Sequence, residues 1–454
     1  MAGFLRVKIS PGRDGLRRAG TPVTGWACRW LNVRDLRSRR AHGTDCESQA
    51  QTHDHFPDRR STAVKDESYP LGFLRLSGAM KTAVDWMVVV LAVGVLITAV
   101  GAIGSGFRTA SGGRAEQLFQ FAENPFIGLM IGVLATVLTQ SSTTTTSITV
   151  GMAAGGLPIG IAIPILFGAN VGTTMTSSFV ALGMAKDKVM FRRGFAAASV
   201  HDMYNLLSVA IFFPLELLFS PLERLSAWAS ARIAGEDVGP AGRGFEAAGA
   251  AVGYLTRPGV LLLEGAASPL GEVAGGITLV AGGVVMILAV ITLISKMLKQ
   301  LLVGTAEKIF ATALGRGAWS GVLSGTVVTM LVQSSTTTTS LAVPFAATGK
   351  FSLRQIFYFV VGANIGTTLT ALIAAFGFTG IEARAALGAA LVHLFYNLLA
   401  AALILLVPWL RRLPPEGADI LARLATENKL YVLGWMLLIF LIIPGTLILL
   451  TVVF

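Results

Sequence analysis

Two stretches of this 454-residue chain place a dense set of hydrogen-bonding side chains inside an oil-like sequence. They are Gln140-Ser141-Ser142-Thr143-Thr144-Thr145-Thr146-Ser147 and Gln333-Ser334-Ser335-Thr336-Thr337-Thr338-Thr339-Ser340, the same eight residues at an offset of 193. Each octet offers one amide, seven hydroxyls and no charge. If a helix starts within the octet, its first N–H groups lack intrahelical partners and carry a partial positive charge, which makes an anion site. Ser and Thr hydroxyls donate to an oxyanion, and their oxygens, with amide carbonyls, are hard ligands that suit Na⁺. A cation beside the anion lowers the cost of taking either out of water. The constellation therefore suits cation-coupled transport of a small, strongly hydrated anion. Enzymatic readings find little: no Gly-x-Ser-x-Gly elbow and no Ser-Lys or Ser-His pairing accompanies the serines. Nor does the sequence offer a transition-metal sphere, because Cys28 and Cys46 both lie in the N-terminal tail and only two histidines, His201 and His393, follow residue 55.

The elements that must hold these octets are apolar. The chain is 53% hydrophobic and 13% charged, with mean hydropathy +0.68, against roughly a quarter charged in soluble domains. This is a membrane composition. About 15 apolar residues lead into Gln140, which as helix reach about 22 Å and fall short of a hydrocarbon core of about 30 Å. A short arm, a polar tip and a short returning arm predict a re-entrant hairpin over Pro125–Gly155 and again over Ala318–Thr348. Each hairpin precedes a span carrying a second paired motif, Gly168-Ala169-Asn170-Val171-Gly172-Thr173-Thr174 and Gly362-Ala363-Asn364-Ile365-Gly366-Thr367-Thr368. The glycines around each Asn, about mid-membrane, predict local unwinding that frees backbone groups.

Three spans per half follow: Ala83–Gly104, Pro158–Met184 and Phe195–Phe219, then Glu272 to about Ser295, Phe351–Phe378 and Ala385–Leu410. Three is odd, so the second half inserts upside down. The expected fold is an all-α polytopic membrane protein with an inverted-topology repeat, each half with a re-entrant helical hairpin and an interrupted transmembrane helix, the two tips meeting at the midplane. Lys186, Lys188, Arg192 and Arg193, then Lys296 and Lys299, then Arg411 and Arg412 mark the cytoplasmic ends. The division is residues 1–79, a polar N-terminal extension without an apolar period; 80–219, the first repeat; 220–271, an external Gly- and Pro-rich connecting loop; 272–412, the second repeat; and 413–454, an amphipathic linker and a final span. The extension carries 14 Lys and Arg against 8 Asp and Glu. It reads as a solvated cytoplasmic segment rather than a nucleic-acid arm. Met80 opens the first span and is a candidate natural start. Ala115-Glu116-Gln117 and Ala306-Glu307-Lys308 read as interfacial helices.

The paired Gln-Ser-Ser-Thr tips, the paired Gly-Ala-Asn-Val/Ile-Gly-Thr-Thr motifs and Val200-His201-Asp202 with Asn205 resemble the type II sodium-dependent phosphate cotransporter family. The resemblance covers roughly residues 80–410. It implies a multi-pass protein of the cytoplasmic membrane, N-terminus inside, that carries inorganic phosphate by symport with Na⁺ as coupling ion and needs no cofactor. It places phosphate at Gln140, Ser141, Ser142, Thr143, Gln333, Ser334, Ser335 and Thr336. Na⁺ is assigned to Thr144, Asn170, Thr173, Thr174, Thr337, Asn364, Thr367 and Thr368. The residues alone leave open another small anion (sulfate, arsenate, a small carboxylate) or an ion channel. His201 and His393 read as structural hydrogen-bonders to neighbouring spans, with proton coupling as the alternative. Asp202 reads as a hydrogen-bond anchor, and Asp85 as interfacial at a span entrance.

Overall fold

A short apolar helix that turns straight back needs a residue that reverses the chain and satisfies its last carbonyls, and this chain does so twice, after Thr139 and after Val332. A computed structural model describes residues 78–112, 124–234, 240–313 and 316–453. The readings made for residues 1–77 and for Ala115-Glu116-Gln117 lie outside the described residues. Among the described residues all regular structure is helical. The first half comprises α1 (Gly78–Ser111), α2 (Pro125–Thr139), α3 (Ser142–Ala154), α4 (Ile159–Gly172), α5 (Met175–Leu182) and α6 (Lys188–Phe219). Then come α7 (Pro221–Ile233) and α8 (Pro240–Ala267). The second half comprises α9 (Glu272–Ala313), α10 (Ala318–Val332), α11 (Ser335–Ala347), α12 (Leu353–Ala375) and α13 (Gly380–Leu406). The chain closes with α14 (Leu413–Glu427), α15 (Leu430–Leu437), a π turn over Leu438–Ile442 and α16 (Ile443–Val453). Seven helical segments among the described residues are long and apolar enough to cross a membrane: Met80–Ser111, Ile159–Leu182, Lys188–Phe219, Glu272–Leu302, Leu353–Ala375, Gly380–Leu406 and Leu430–Leu450. The short apolar helices are Pro125–Thr139 and Ala318–Val332, the two arms that lead into the octets.

Two expectations are corrected. The Gly168–Thr174 motif does interrupt its span, but at Thr173-Thr174, between α4 and α5. Its counterpart does not interrupt anything, because α12 runs unbroken through Gly362–Thr368. There the glycines serve close approach rather than unwinding. Residues 220–271 are not an open loop either: α7 and α8 occupy most of them. Glycines and prolines are tolerated in a helix packed on neighbours. α8 lies along α1, with Gly259 against Thr98, Val260 against Gly101 and Glu264 accepting a short hydrogen bond from Ser105. Asp85, near the start of α1, is buried at 7% exposure.

Helix direction follows from which residues meet. α2 and α4 run parallel: Gly128 faces Pro164, Gly132 faces Ile165 and Gly172 faces Thr136. In the second half α10 and α12 do the same, with Gly321 on Tyr358, Gly325 on Phe359 and Gly366 on Thr329. Two helices that run parallel, separated by one short helix, require that helix to run back between them. The corresponding first helices of the two halves, α1 and α9, are antiparallel, since Gly106 meets Leu279 whereas Ala99 and Ile103 meet Gly283. The returning arms then cross over. α3 packs on α12 and α13 of the second half, while α11 packs on α5 and α6 of the first.

At the basic end of α6, Asp419 of α14 binds Arg192 at 3.0 Å and also pairs with Arg423. Burial alone would raise the Asp419 carboxyl, but the two guanidinium groups outweigh it and hold it below the ordinary carboxylate range. The amphipathic linker thus lies on α6 as α14.

The tightest approaches are reciprocal. A methyl added at Gly132 or Gly325 would sit 2.0 or 1.9 Å from the carbonyl oxygens of Ile165 and Phe359, whereas one at Gly160 would meet nothing within 4 Å. Gly132→Ala and Gly325→Ala are each expected to cost about 3 kcal/mol through overpacking, read as a clear fall in melting temperature of the detergent-solubilised protein. Gly160→Ala is expected to melt within error of the wild type.

Candidate functional site

The turn between the arms takes two residues. Gln140 caps α2 in the left-handed region (φ 53°) and Ser141 is extended, and Gln333 (φ 53°) and Ser334 repeat this after α10. The octets are therefore not polar loops: from Ser142 and from Ser335 onward they are helix, forming the first turns of α3 and α11.

Each Gln has two tasks. The Gln140 amide Nε2 donates to the Val137 carbonyl (2.5 Å), and Gln333 Nε2 donates to Met330 (2.7 Å). These are among the last carbonyls of the arriving helix, which have no intrahelical donor. The other end of each side chain accepts a hydroxyl: Thr176 donates to Gln140 Oε1 at 2.7 Å, and Thr370 donates to Gln333 Oε1 at 2.6 Å. Thr176 and Thr370 were not picked out from the sequence. The signal was present, since each stands two residues beyond the Thr-Thr that ends its Asn motif.

The serines divide their labour. Ser141 Oγ accepts the Thr144 N–H (3.1 Å) and Ser334 Oγ accepts the Thr337 N–H (3.2 Å), so both are N-caps. Thr144 Oγ1 also donates to Ser141 Oγ (2.9 Å), and Ser334 Oγ donates to Thr337 Oγ1 (3.0 Å). By contrast, the hydroxyls of Ser142, Thr143, Ser335 and Thr336 make no hydrogen bond among the described residues. Their N–H groups are the first two of each returning helix and have no intrahelical acceptor. Each tip therefore ends in two N–H groups and two hydroxyls without partners, at a helix N-terminus.

Both tips border one cavity of about 220 Å³. Thr143 lines it from the first half, and Met330, Gln333 and Thr370 line it from the second, within apolar walls that include Trp86 of α1 and Ile291 of α9. No Lys or Arg lines it. The halves also touch where Ser177 Oγ meets Thr339 Oγ1 at 3.1 Å.

The Asn motifs do something the sequence did not disclose. His201 Nε2 meets Asn364 Oδ1 (2.7 Å), Asn364 Nδ2 donates to Asn205 Oδ1 (2.6 Å) and Asn205 Nδ2 donates to the Asn170 carbonyl (2.7 Å). The two motifs are thus joined by one buried chain of side chains from α6. His201 makes the structural bond expected of it, but His393 makes none: both its ring nitrogens are buried and without a partner. Asp202 accepts from Trp435 Nε1 at 3.0 Å, in keeping with an anchor. The hydroxyls of Thr173, Thr174, Thr367 and Thr368 donate to carbonyls three or four residues back, which commits their protons and leaves oxygen lone pairs.

The family described as Na+/Pi-cotransporter matches the chain over residues 81–227 and 286–406. The chain belongs to the Na+/Pi-cotransporter family. The first matched segment ends within α7 and the second begins within α9 and ends with α13, so each holds one of the two tips. Similar relatives include the sodium-dependent phosphate transport protein 2A of Ovis aries, 29% identical over 89% of this chain and 73% of the relative. That of Rattus norvegicus is 28% identical over 76% and 64%. The sodium-dependent phosphate transport protein 2B of Homo sapiens is 27% identical over 76% and 62%. The chain thus spans between about three fifths and three quarters of the length of these family members. No solved structure matches it.

If Ser141 is a cap and Ser142 is not, their removal has different costs. Ser141→Ala and Ser334→Ala are each expected to lose about 1 kcal/mol of stability, seen as lowered thermal midpoints without ligand. Ser142→Ala and Ser335→Ala are expected to leave those midpoints unchanged.

Proposed function

We propose that the protein carries inorganic phosphate together with Na⁺ across the cytoplasmic membrane by alternating access, the two halves moving about the paired tips. The observation that carries this reading is the unpartnered donor set at each tip: two N–H groups and two hydroxyls at a helix N-terminus, with Thr143 of one tip and Gln333 of the other lining one cavity. The names of the family and its relatives supply the cargo, and the antiparallel α1 and α9 support an inverted repeat whose short hairpins enter from opposite faces.

In this reading phosphate is held by the N–H and hydroxyl groups of Ser142 and Thr143 and of Ser335 and Thr336. Gln333 brings its second amide hydrogen, the first being used on the preceding helix, and Gln140 brings the one that otherwise makes only a weak contact with the Met175 sulfur at 4.0 Å. Ser141 and Ser334 act on phosphate through the helix start they fix. With no cation lining the cavity, helix dipoles and hydroxyls carry the binding, and Na⁺ offsets the remaining anion charge. Na⁺ ligands are hydroxyl oxygens: Thr173, Thr174, Thr367, Thr368 and Thr144, whose protons are already committed, with Thr337, which accepts from Ser334, beside the second cap. Asn170 and Asn364 stand between these two sets.

The test is radiolabelled phosphate uptake into proteoliposomes with and without an inward Na⁺ gradient, competed by sulfate, arsenate and small carboxylates. Uptake driven by the gradient and displaced by arsenate but not sulfate is expected. Uptake indifferent to Na⁺ overturns the coupling, and stronger competition by sulfate or a carboxylate overturns the cargo. Gln140→Ala, Gln333→Ala and Ser142→Ala are each expected to weaken phosphate about ten- to a hundredfold, the loss of one hydrogen bond to a charged group, with protein still in the membrane. Wild-type uptake in all three removes the tips from the mechanism.

A further inference from the structure

The hydrogen-bond chain that joins the halves is one-sided, although the residues that make it are duplicated. His201 and Asn205 of α6 correspond to His393 and Asn397 of α13, and Asn170 corresponds to Asn364. The first set is engaged across the halves through His201 Nε2, Asn364, Asn205 and the Asn170 carbonyl, with only His201 Nδ1 left without a partner. The second set is folded back on itself. Asn397 Nδ2 donates to the His393 carbonyl (2.9 Å) and Asn170 Nδ2 reaches the Leu166 carbonyl at 3.4 Å, both four residues away on their own helices. The His393 ring is 0% exposed and has no partner on either nitrogen. Whichever tautomer it holds, a buried N–H lacks an acceptor, which proteins rarely tolerate without a use.

The scaffold for a second set of ties is nonetheless in place. α13 packs on α4 as α6 packs on α12. Tyr396, three residues after His393, lies 4.4 Å ring to ring from Phe167 of α4, and Tyr204, three residues after His201, lies 6.1 Å from Phe357 of α12. His393 is thus on the helix that faces the Asn170 motif, as His201 faces the Asn364 motif. The tips share the asymmetry: Thr143 is 4% exposed, while its counterpart Thr336 is half-buried.

We infer that these are alternating positioning residues: His201 and Asn205 tie the halves in the conformation described here, and His393 and Asn397 make the mirrored ties when the protein faces the other way. The mirrored chain runs from His393 to Asn170 Oδ1, from Asn170 Nδ2 to Asn397 Oδ1 and from Asn397 Nδ2 to the Asn364 carbonyl. Each exchange breaks one cross-half set as it makes the other, so neither facing leaves both sets unmade. The inference rests on the alternating-access reading above.

The test uses the full chain in lipid nanodiscs, where a maleimide reaches both faces. In a Cys28→Ser, Cys46→Ser background, Thr143→Cys and Thr336→Cys are made in separate proteins, and the ratio of their labelling rates (336 over 143) is measured without substrate. His393→Phe leaves every hydrogen bond of the present conformation intact and is expected to raise the ratio. His201→Phe removes a bond of this conformation and is expected to lower it, each by about fivefold or more. Shifts in the same direction, or no shift in either variant, overturn the inference, since a merely structural histidine moves folded yield without reversing the ratio. If a Phe variant does not accumulate, Asn397→Ser and Asn205→Ser replace the pair with the same opposite signs and the same overturning outcomes. The ratio does not depend on the cargo, so wild-type protein that fails to take up phosphate counts against the proposed function and leaves this result standing.

Discussion

Hydrocarbon offers no hydrogen bonds, and that constraint shapes every unusual feature of this protein. A helix that ends halfway across a membrane leaves orphan carbonyls, and the helix that starts there leaves orphan N–H groups. Gln140 and Gln333 answer the first half of the problem by turning their amides back on the arriving helix. Ser141 and Ser334 answer part of the second as caps. What neither residue covers, the first two N–H groups and the hydroxyls beside them, is the part available to a ligand. In the proposed reading site and fold are one solution: the cargo completes a helix start that the protein leaves incomplete.

Close packing makes that start rigid. The arms that reach the tips run beside a second helix from their own half, so close that a Cβ added at Gly132, Gly168, Gly325 or Gly362 would lie 1.9–2.0 Å from a facing carbonyl oxygen. Small residues at such contacts are how helices associate where burial from water supplies no drive. The threonines on Gln140 and Gln333 then carry the constraint sideways, from tip to neighbouring helix. A chain of short polar links thus connects each tip to the Asn motif beside it.

Much of this was legible in the sequence because it was written twice. The octets, the short arms and the Asn motifs recur in order, and spacing alone located both turns and all seven long apolar segments. The failures share a physical origin. Glycine permits both unwinding and close approach, so Gly362–Thr368 could not be told from a break until Val322 and Thr326 were seen against it. In α8, Gly and Pro read as loop because the sequence does not show that α1 lies alongside. Thr176 and Thr370 were recoverable from the repeat. The link from His201 to Asn364 spans 163 residues and leaves no local trace, and the lack of a matching link at His393 leaves none either.

The crossed packing of the returning arms bears on how the protein is made. α3 rests on α12 and α13, which the ribosome has not yet produced when α3 enters the bilayer. Until then it has only the contacts of its own half, with α1, α2 and α4, including the hydrogen bond from Thr136 to Thr145. The first half is therefore a dependent of the second during synthesis. A chain cut short after α6 would keep those contacts and lack the ones to α12 and α13, a difference by which quality control could tell an unfinished molecule from a finished one.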